Sequence, residues 1–89
     1  MPFEFDPNKS AANQDMHGID FDEAQALWED DRRIENDARF DGEARHLMTG
    51  RIGEYLWTAI FTIRGDNVRL ISVRRARDEE ARRYENNDG

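Results

Sequence analysis

The stretch YLWTAIFTIRGDNVRLISVR, residues 55–74, decides the fold class of this chain. Tyr55–Arg64 is rich in aromatic and β-branched residues, a composition that favours a strand. The four residues that follow the strand core, 64–67, read Arg-Gly-Asp-Asn and are typical of a tight turn, because Gly and Asn tolerate a positive φ. Residues 68–74 then form a returning strand, so the stretch predicts an antiparallel hairpin.

The residues on either side extend this hairpin. Residues 46–50 predict a further strand, and the turn sequence at 51–54 connects it to the hairpin, which gives a three-stranded antiparallel meander. After the meander, Asp78 is expected to cap a final helix over residues 79–84. The acidic start and basic end of this segment suit the helix dipole.

The N-terminal part predicts a short strand at 3–5 and a first helix. Asp6 is expected at the N-cap and Pro7 at the first helical position. The helix would run to about Met16, where Gly18 suits its C-terminal cap.

A second helix is predicted from Asp20 to about Glu29, because Asp20 and Glu23 have the spacing of a capping box. One face of this helix is apolar and is expected in the core; it carries Phe21, Ala24, Leu27 and Trp28. The acidic stretch at 29–43 gives only a weak strand signal, near residues 33–36.

These elements predict an α+β fold: an antiparallel sheet with two N-terminal helices and one C-terminal helix, the helices packed on one face of the sheet. With 89 residues and 10.5 kDa, we expect one domain over residues 1–89 with a thin core.

The composition excludes several classes of protein. There is no Cys, so disulfide scaffolds and thiolate metal sites are excluded. No apolar run reaches the roughly 18–20 residues of a membrane helix, and the acidic N-terminus is unlike a signal peptide, so a cytoplasmic protein is expected. Two His residues 29 positions apart give no expectation of a metal site, and no cofactor motif is present.

Charge is distributed unevenly. The net charge of the chain is −7, which argues against non-specific coating of nucleic acid. Residues 1–44 carry a net charge of −9, whereas residues 51–77 carry +4, supplied by Arg, which binds phosphate with a planar fork. The alternative is an acidic domain whose Arg residues pair locally with Asp and Glu.

The basic residues of the second half suggest a phosphate-binding cleft. Arg64, Arg69 and Arg74 would line it, with three further arginines nearby in sequence, Arg51, Arg75 and Arg77. Strand alternation places Arg69 and Arg74 on opposite faces, so a bulge or an end twist is needed to gather the set. The alternative is exposed strand-end arginines paired with carboxylates.

The first helix offers a second polar row. Lys9, Asn13 and His17 recur every four residues and therefore share a face that could contact phosphate or supply a general acid. The alternative for His17 is a capping or packing role. RNA cleavage fits this set, because the substrate's 2′-hydroxyl is the nucleophile and Arg stabilises the phosphorane charge. The general base stays open between His17, Tyr84 and Glu54.

Two sequence blocks carry a family resemblance. The first is FEFDPNK at 3–9, with Asn13 and HGIDFDEA at 17–24; the second is RGD at 64–66 and RLISVRRA at 69–76, with Glu80 and Tyr84. In this order and spacing they resemble the BrnT family of type II toxins. The resemblance implies a RelE-like fold, ribonuclease activity without a cofactor and a BrnA-type antitoxin bound in a hetero-oligomer. It also implies contact with DNA only through the antitoxin's ribbon-helix-helix part, in a complex that represses its own operon.

The resemblance also implies roles for individual residues. Arg64, Arg69 and Arg74 would bind phosphate and act in catalysis, with Ser72 and Tyr84 as second choices. Lys9 and His17 would extend the RNA surface, and Asp6 and Asn13 would serve as a helix cap and a buried turn residue.

Two positions depart from the family pattern: Phe5 stands where Trp is usual, and Met16 where Lys is usual. Met16 and the net charge of −7 favour an alternative, a non-catalytic member of the fold that acts as antitoxin partner and transcriptional co-repressor. The acidic region 20–43 is expected to face the antitoxin or solvent.

Overall fold

A computed structural model describes residues 2–87 and contains the elements that the sequence predicts, with additions. The helices are α1 (Pro7–His17), α2 (Phe21–Ala24), continued by a 3-10 turn (Gln25–Glu29), and α3 (Asp78–Glu85). The strands are β1 (Phe3–Glu4), β2 (Ile34–Phe40), β3 (Glu43–Ile52), β4 (Tyr55–Arg64) and β5 (Asn67–Arg75). The α+β fold class is therefore confirmed.

The strands form one sheet in the order β1-β5-β4-β3-β2. The predicted meander, β3 to β5, lies in its centre, and only β1 pairs in parallel, with β5. β2 has seven residues, more than the short segment at 33–36 that the sequence indicated, and β3 begins at Glu43 rather than at 46. These charged segments are strands because they pair with each other along their full length.

The predicted caps of the N-terminal helices are confirmed. The Asp6 carboxylate accepts a hydrogen bond from the Asn8 N–H at 2.8 Å, and Gly18 ends α1 with φ of 83°. Asp20 and Glu23 form the capping box. At α3, however, the N-cap is Arg77 rather than Asp78, because the Glu80 carboxylate accepts the Arg77 N–H at 2.8 Å.

The core lies between α2 with its 3-10 turn and one face of the sheet, here called the first face. Phe21, Ala24 and Leu27 are buried as predicted, and Trp28 packs against them at the margin. The sheet contributes the buried side chains of Met48, Trp57, Ala59, Phe61, Val68, Leu70 and Val73. In β4 the side chains that enter the core, Trp57, Ala59 and Phe61, alternate with side chains that point to the opposite face of the sheet.

A bulge in β5 changes which of its side chains share a face. Ile60 lies opposite Ser72 but Phe61 lies opposite Leu70, so Ile71 is the extra residue. Val68 and Val73 consequently both join the first face, although five positions separate them. Arg69, Ser72 and Arg74 therefore share the other face of the sheet, here called the second face. This bulge is the irregularity that the sequence required if the predicted arginines were to share a face.

The helices do not all pack on one face, which corrects the sequence-based expectation. Thr58 lies between Trp57 and Ala59 on β4 and so points to the second face. Its hydroxyl donates to Glu80 of α3 at 2.9 Å. α3 thus covers one end of the second face and leaves the other end open. No helix within residues 2–87 is long and apolar enough to cross a membrane.

The Asn13 amide holds α1 against the uncovered part of the β5 edge. Its Nδ2 donates to the carbonyls of Ile19 and Val73 at 2.8 and 2.9 Å, and its Oδ1 accepts the Val73 N–H at 3.1 Å. The side chain is buried, as the resemblance implied, and substitutes there for a missing neighbouring strand.

We expect Asn13→Ala to lower the free energy of unfolding by about 2–4 kcal/mol, because it leaves three buried backbone groups without a partner. Urea denaturation measures this effect. Asn8→Ala is the matched control: Asn8 is exposed on the same helix and only its backbone N–H is bonded. A loss for Asn13→Ala no larger than that of the control would contradict the role of this amide.

Candidate functional site

The end of the second face that α3 leaves open, together with the adjoining Arg74, defines what we call the basic face; its residues are Ser72 and the arginines Arg45, Arg64, Arg69 and Arg74. Arg69 pairs across the sheet with Thr62, and Arg64 follows two positions later on the Thr62 strand. Arg45 precedes His46, which pairs with Phe61, so it flanks Thr62 from the β3 side. Neighbouring strands are about 4.8 Å apart, so these three arginines surround Thr62 with Cα atoms within roughly 10 Å.

Arg69 is held by a carboxylate that stays accessible. Its Nη1 lies 2.9 Å from Glu4 Oε2, and both side chains are 31% exposed. Hydrogen bonds from Asn67 and Arg69, together with the nearby charge of Arg64, hold the pKa of Glu4 below its usual range. The charge of Arg69 is therefore balanced in the free protein, yet it lies within reach of a ligand.

Arg74 forms a more enclosed pair with Glu80. Two parallel hydrogen bonds, of 2.7 and 3.0 Å, join its guanidinium to the carboxylate, and the two side chains are 17% and 13% exposed. Glu80 also accepts from Thr58 and from the Arg77 N–H. Burial alone would raise the pKa of Glu80, but these donors outweigh it and lower the pKa to about 2. Arg74 is thus fixed in position by α3.

Arg64 is exposed and forms no hydrogen bond or ion pair within residues 2–87. It lies diagonally beside Arg69, close enough for its charge to act on Glu4. Among the three arginines predicted for phosphate binding, Arg64 is therefore the one that is immediately available to an anion.

Lys9 and His17 lie beside β5. They line a groove of about 200 Å³ together with Met16, Ile71 and Ser72. Asn13, the middle member of the predicted row, also lines this groove, but its amide is bonded to the Val73 backbone. Met16 is 76% exposed, so this groove has an apolar wall.

The remaining predicted residues gather at the opposite end of the sheet. Arg75 stacks on Tyr55 at 3.9 Å, on the first face next to Trp57. Arg51 lies over the Tyr84 ring at 5.8 Å, and Arg77 is the N-cap of α3. The structure therefore does not bring Arg51, Arg75 and Arg77 together with Arg64 and Arg69.

Tyr84 is 5% exposed, and its hydroxyl donates to the Asp30 carboxylate at 2.6 Å. Burial and this carboxylate raise the pKa of Tyr84. Asp30 also accepts the backbone N–H groups of Arg32 and Arg51 at 2.9 and 2.8 Å. Burial would raise the pKa of Asp30, but these donors lower it. The expectation that the acidic region faces antitoxin or solvent therefore fails for Asp30, which joins α3 to β3.

The sequence pattern does not predict two features of the structure. Arg45 belongs to the basic face, but the predicted start of β3 at 46 excluded it; its side chain lies 3.9 Å from Glu43. His46, which the sequence does not assign to any site, contacts Asp37 and Glu35 through Nδ1 at 2.9 and 3.3 Å. These three residues are the one group within 2–87 whose spacing would suit a metal ion, and they lie away from the basic face.

Comparison with known families adds an independent observation. The family model described as the ribonuclease toxin, BrnT, of type II toxin-antitoxin systems matches residues 5–80. The matched part begins before α1, ends in the first turn of α3 and includes Arg64, Arg69, Ser72 and Arg74. No curated protein matches the chain. Since the match covers well over half of the sequence, the chain belongs to the BrnT family of ribonuclease toxins of type II toxin-antitoxin systems.

Proposed function

We propose that this toxin cleaves RNA on its basic face, with Arg69 beside the scissile phosphate and with Arg64 and Arg74 on the RNA backbone to either side of it. The bulge in β5 carries this proposal, because without it Arg69 and Arg74 would lie on opposite faces of the sheet. The open end of the second face, beyond α3, leaves room for a strand of RNA.

The proposed reaction is an internal transesterification. The 2′-oxygen attacks phosphorus, the bond from phosphorus to the 5′-oxygen breaks, and a 2′,3′-cyclic phosphate and a 5′-hydroxyl result. The proton of the 2′-hydroxyl goes to a base, and the leaving oxygen receives one from an acid. The arginines stabilise the extra charge on the phosphorane. The nucleophile belongs to the substrate, so the proposal requires no metal-bound water.

His17 is the proposed base among the three candidates. It lines the groove that ends at Ser72, whereas the Tyr84 hydroxyl already donates to Asp30. Glu54 lies in the turn after β3, at the end of the sheet where Arg75 and Tyr55 stack. RNA would then run from Lys9 and His17 across Ser72 to the arginines. Tyr84 acts as a positioning residue through Asp30.

Arg51, Arg75 and Arg77 are proposed contacts for nucleotides beyond the cleaved bond, since they lie at the far end of β5 and β3. Arg75 stacked on Tyr55 presents an aromatic ring and a cation together, a combination that binds unpaired bases.

The family implies a protein antitoxin. We propose that it is of the BrnA type, that the two form a hetero-oligomer in the cytoplasm and that DNA is contacted only through the antitoxin. An antitoxin that binds DNA is expected to be basic, and the net charge of −7 on this chain would speed its association.

The experiment is cleavage of single-stranded RNA by the purified chain, without ribosomes and in EDTA. We expect a cyclic phosphate product, and no cut where a single 2′-deoxynucleotide replaces the ribose at the cleaved position. Arg64→Ala should reduce kcat/KM about tenfold or more, whereas Arg83→Ala, which removes an exposed arginine of α3, should not. Equal rates for the two variants would contradict a site on the basic face.

The pairing of Arg69 and Arg74 with Glu4 and Glu80 favours one alternative, a non-catalytic toxin-fold protein that binds antitoxin and represses transcription with it. This alternative predicts no cleavage of any RNA, with or without ribosomes, and no growth inhibition on expression. Operator binding by the antitoxin would still strengthen when the chain is added.

A further inference from the structure

β2 is the last strand of the sheet, and only one of its edges is occupied. It pairs with β3 over all seven residues, Ile34–Phe40, and has no strand on its other side within residues 2–87. Alternate residues of such a strand point their N–H and C=O groups outward. At the opposite side of the sheet, β1 and the Asn13 amide complete the edge of β5.

The open edge lacks several of the features that proteins use to prevent pairing, although Glu35, Asp37 and Arg39 place charges along it. It is about 23 Å long at 3.3 Å per residue, contains no Pro and no Lys, and pairs with β3 without a bulge. An edge strand of this kind is a template for an added strand from another chain.

The side chains along the edge give it a definite charge. Glu35 and Asp37 lie two positions apart on the same face and are 49% and 81% exposed. His46 of β3 contacts both carboxylates from the inner side. Residues 34–43, from the start of β2 to the first residue of β3, carry a net charge of −3, and Asp31 before them is exposed as well.

We propose that β2 is the docking edge for the antitoxin, which adds an extended segment with Lys or Arg at two positions two residues apart, opposite Glu35 and Asp37. This inference rests on the antitoxin partner of the proposed function. Side chains two apart on an added strand lie on one face, so each cation meets one carboxylate directly across the new ladder.

Other occupants fit this edge less well. RNA is disfavoured because the carboxylates repel its phosphates. A second copy of the chain would bring a further net charge of −7 and the same excess of carboxylates to the interface. A helix would leave the outward N–H and C=O groups unpaired.

Hydrogen–deuterium exchange of the free chain and of its complex with the antitoxin tests the proposal. We expect amides in 34–40 to exchange at least tenfold more slowly in the complex. Association rates test the charges: Asp37→Lys should slow association about tenfold and weaken its salt dependence, while Asp15→Lys, the same change on exposed α1, should alter it less than twofold. Thermal melting verifies that both variants fold.

Three results would overturn the proposal: unchanged exchange at 34–40 in a stable complex, equal effects of the two Lys variants, or self-association of the free chain through β2. Cleavage by the free wild-type chain is measured separately. An inactive chain with a protected β2 would count against the proposed function alone, whereas an active chain with an unprotected β2 would count against this inference alone.

Discussion

Glu80→Gln should lower the free energy of unfolding by about 3 kcal/mol and reduce the melting temperature by roughly 15 °C. The substitution keeps the size of the side chain but removes its charge. Arg74, 17% exposed, is then left as a largely desolvated cation without a counter-ion, and the Thr58 hydroxyl and the Arg77 N–H lose a charged acceptor. Breaking one partner of an enclosed ion pair is costly because the remaining charge is still desolvated.

Glu79→Gln is the matched control for this experiment. It changes the neighbouring residue in the same way, but the Glu79–Arg83 pair is exposed, with side chains 68% and 52% accessible. Exposed pairs at this helical spacing contribute about 0.3–0.5 kcal/mol. Thermal and urea denaturation of both variants give the comparison, and a similar small loss in each would contradict the structural importance of the Arg74–Glu80 pair.

The same carboxylate predicts how stability depends on pH. The pKa of Glu80 falls from 4.5 to about 2 on folding, so the folded protein holds this group ionised more strongly than the unfolded chain does. Its contribution is complete above about pH 4.5 and is lost as the pH falls toward 2. Glu80→Gln should remove this part of the acid dependence, and the difference between wild type and variant should shrink below pH 4.

Local sequence patterns predict much of the fold, because strand bounds and helix caps depend on only a few neighbouring residues. The bounds of β4 are those that its aromatic and β-branched residues indicate, and both N-terminal caps follow from side chains three residues apart or less. The sequence pattern underestimates the length of β2 for a physical reason. Its charged residues have low strand propensity, and pairing with β3, the next strand along the chain, stabilises it.

The candidate site was only half predictable for a related reason. Strand alternation identified Arg64, Arg69 and Arg74 but placed two of them on opposite faces, because a bulge has no reliable signature in one sequence. Their partners Glu4 and Glu80 were beyond prediction as well. Glu4 is 65 residues from Arg69 in the chain, and Glu80 reaches Arg74 only because α3 crosses to the second face.

Arg69→Ala should reduce kcat/KM for RNA cleavage about 100-fold, since it removes a cation from the phosphate that gains charge in the transition state. It should cost little stability, because Arg69 and Glu4 are each 31% exposed and water can solvate the Glu4 carboxylate that remains. Steady-state cleavage and thermal melting separate these effects. A loss of activity matched by Arg83→Ala, another surface arginine, would contradict a specific role for Arg69.

Glu4→Gln should strengthen RNA binding, whereas Arg69→Ala should weaken the action of the toxin on RNA. This contrast distinguishes a phosphate site from a structural ion pair. In the free toxin the Glu4 carboxylate competes with RNA for Arg69, whereas the neutral amide of the variant carries no charge to compete. We expect severalfold tighter RNA binding and a salt dependence steeper by about 0.7 in log Kd per log salt, one extra phosphate contact. If the pair only stabilises the β1–β5 contact, Glu4→Gln and Arg69→Ala should instead weaken binding together, each in proportion to its loss of stability.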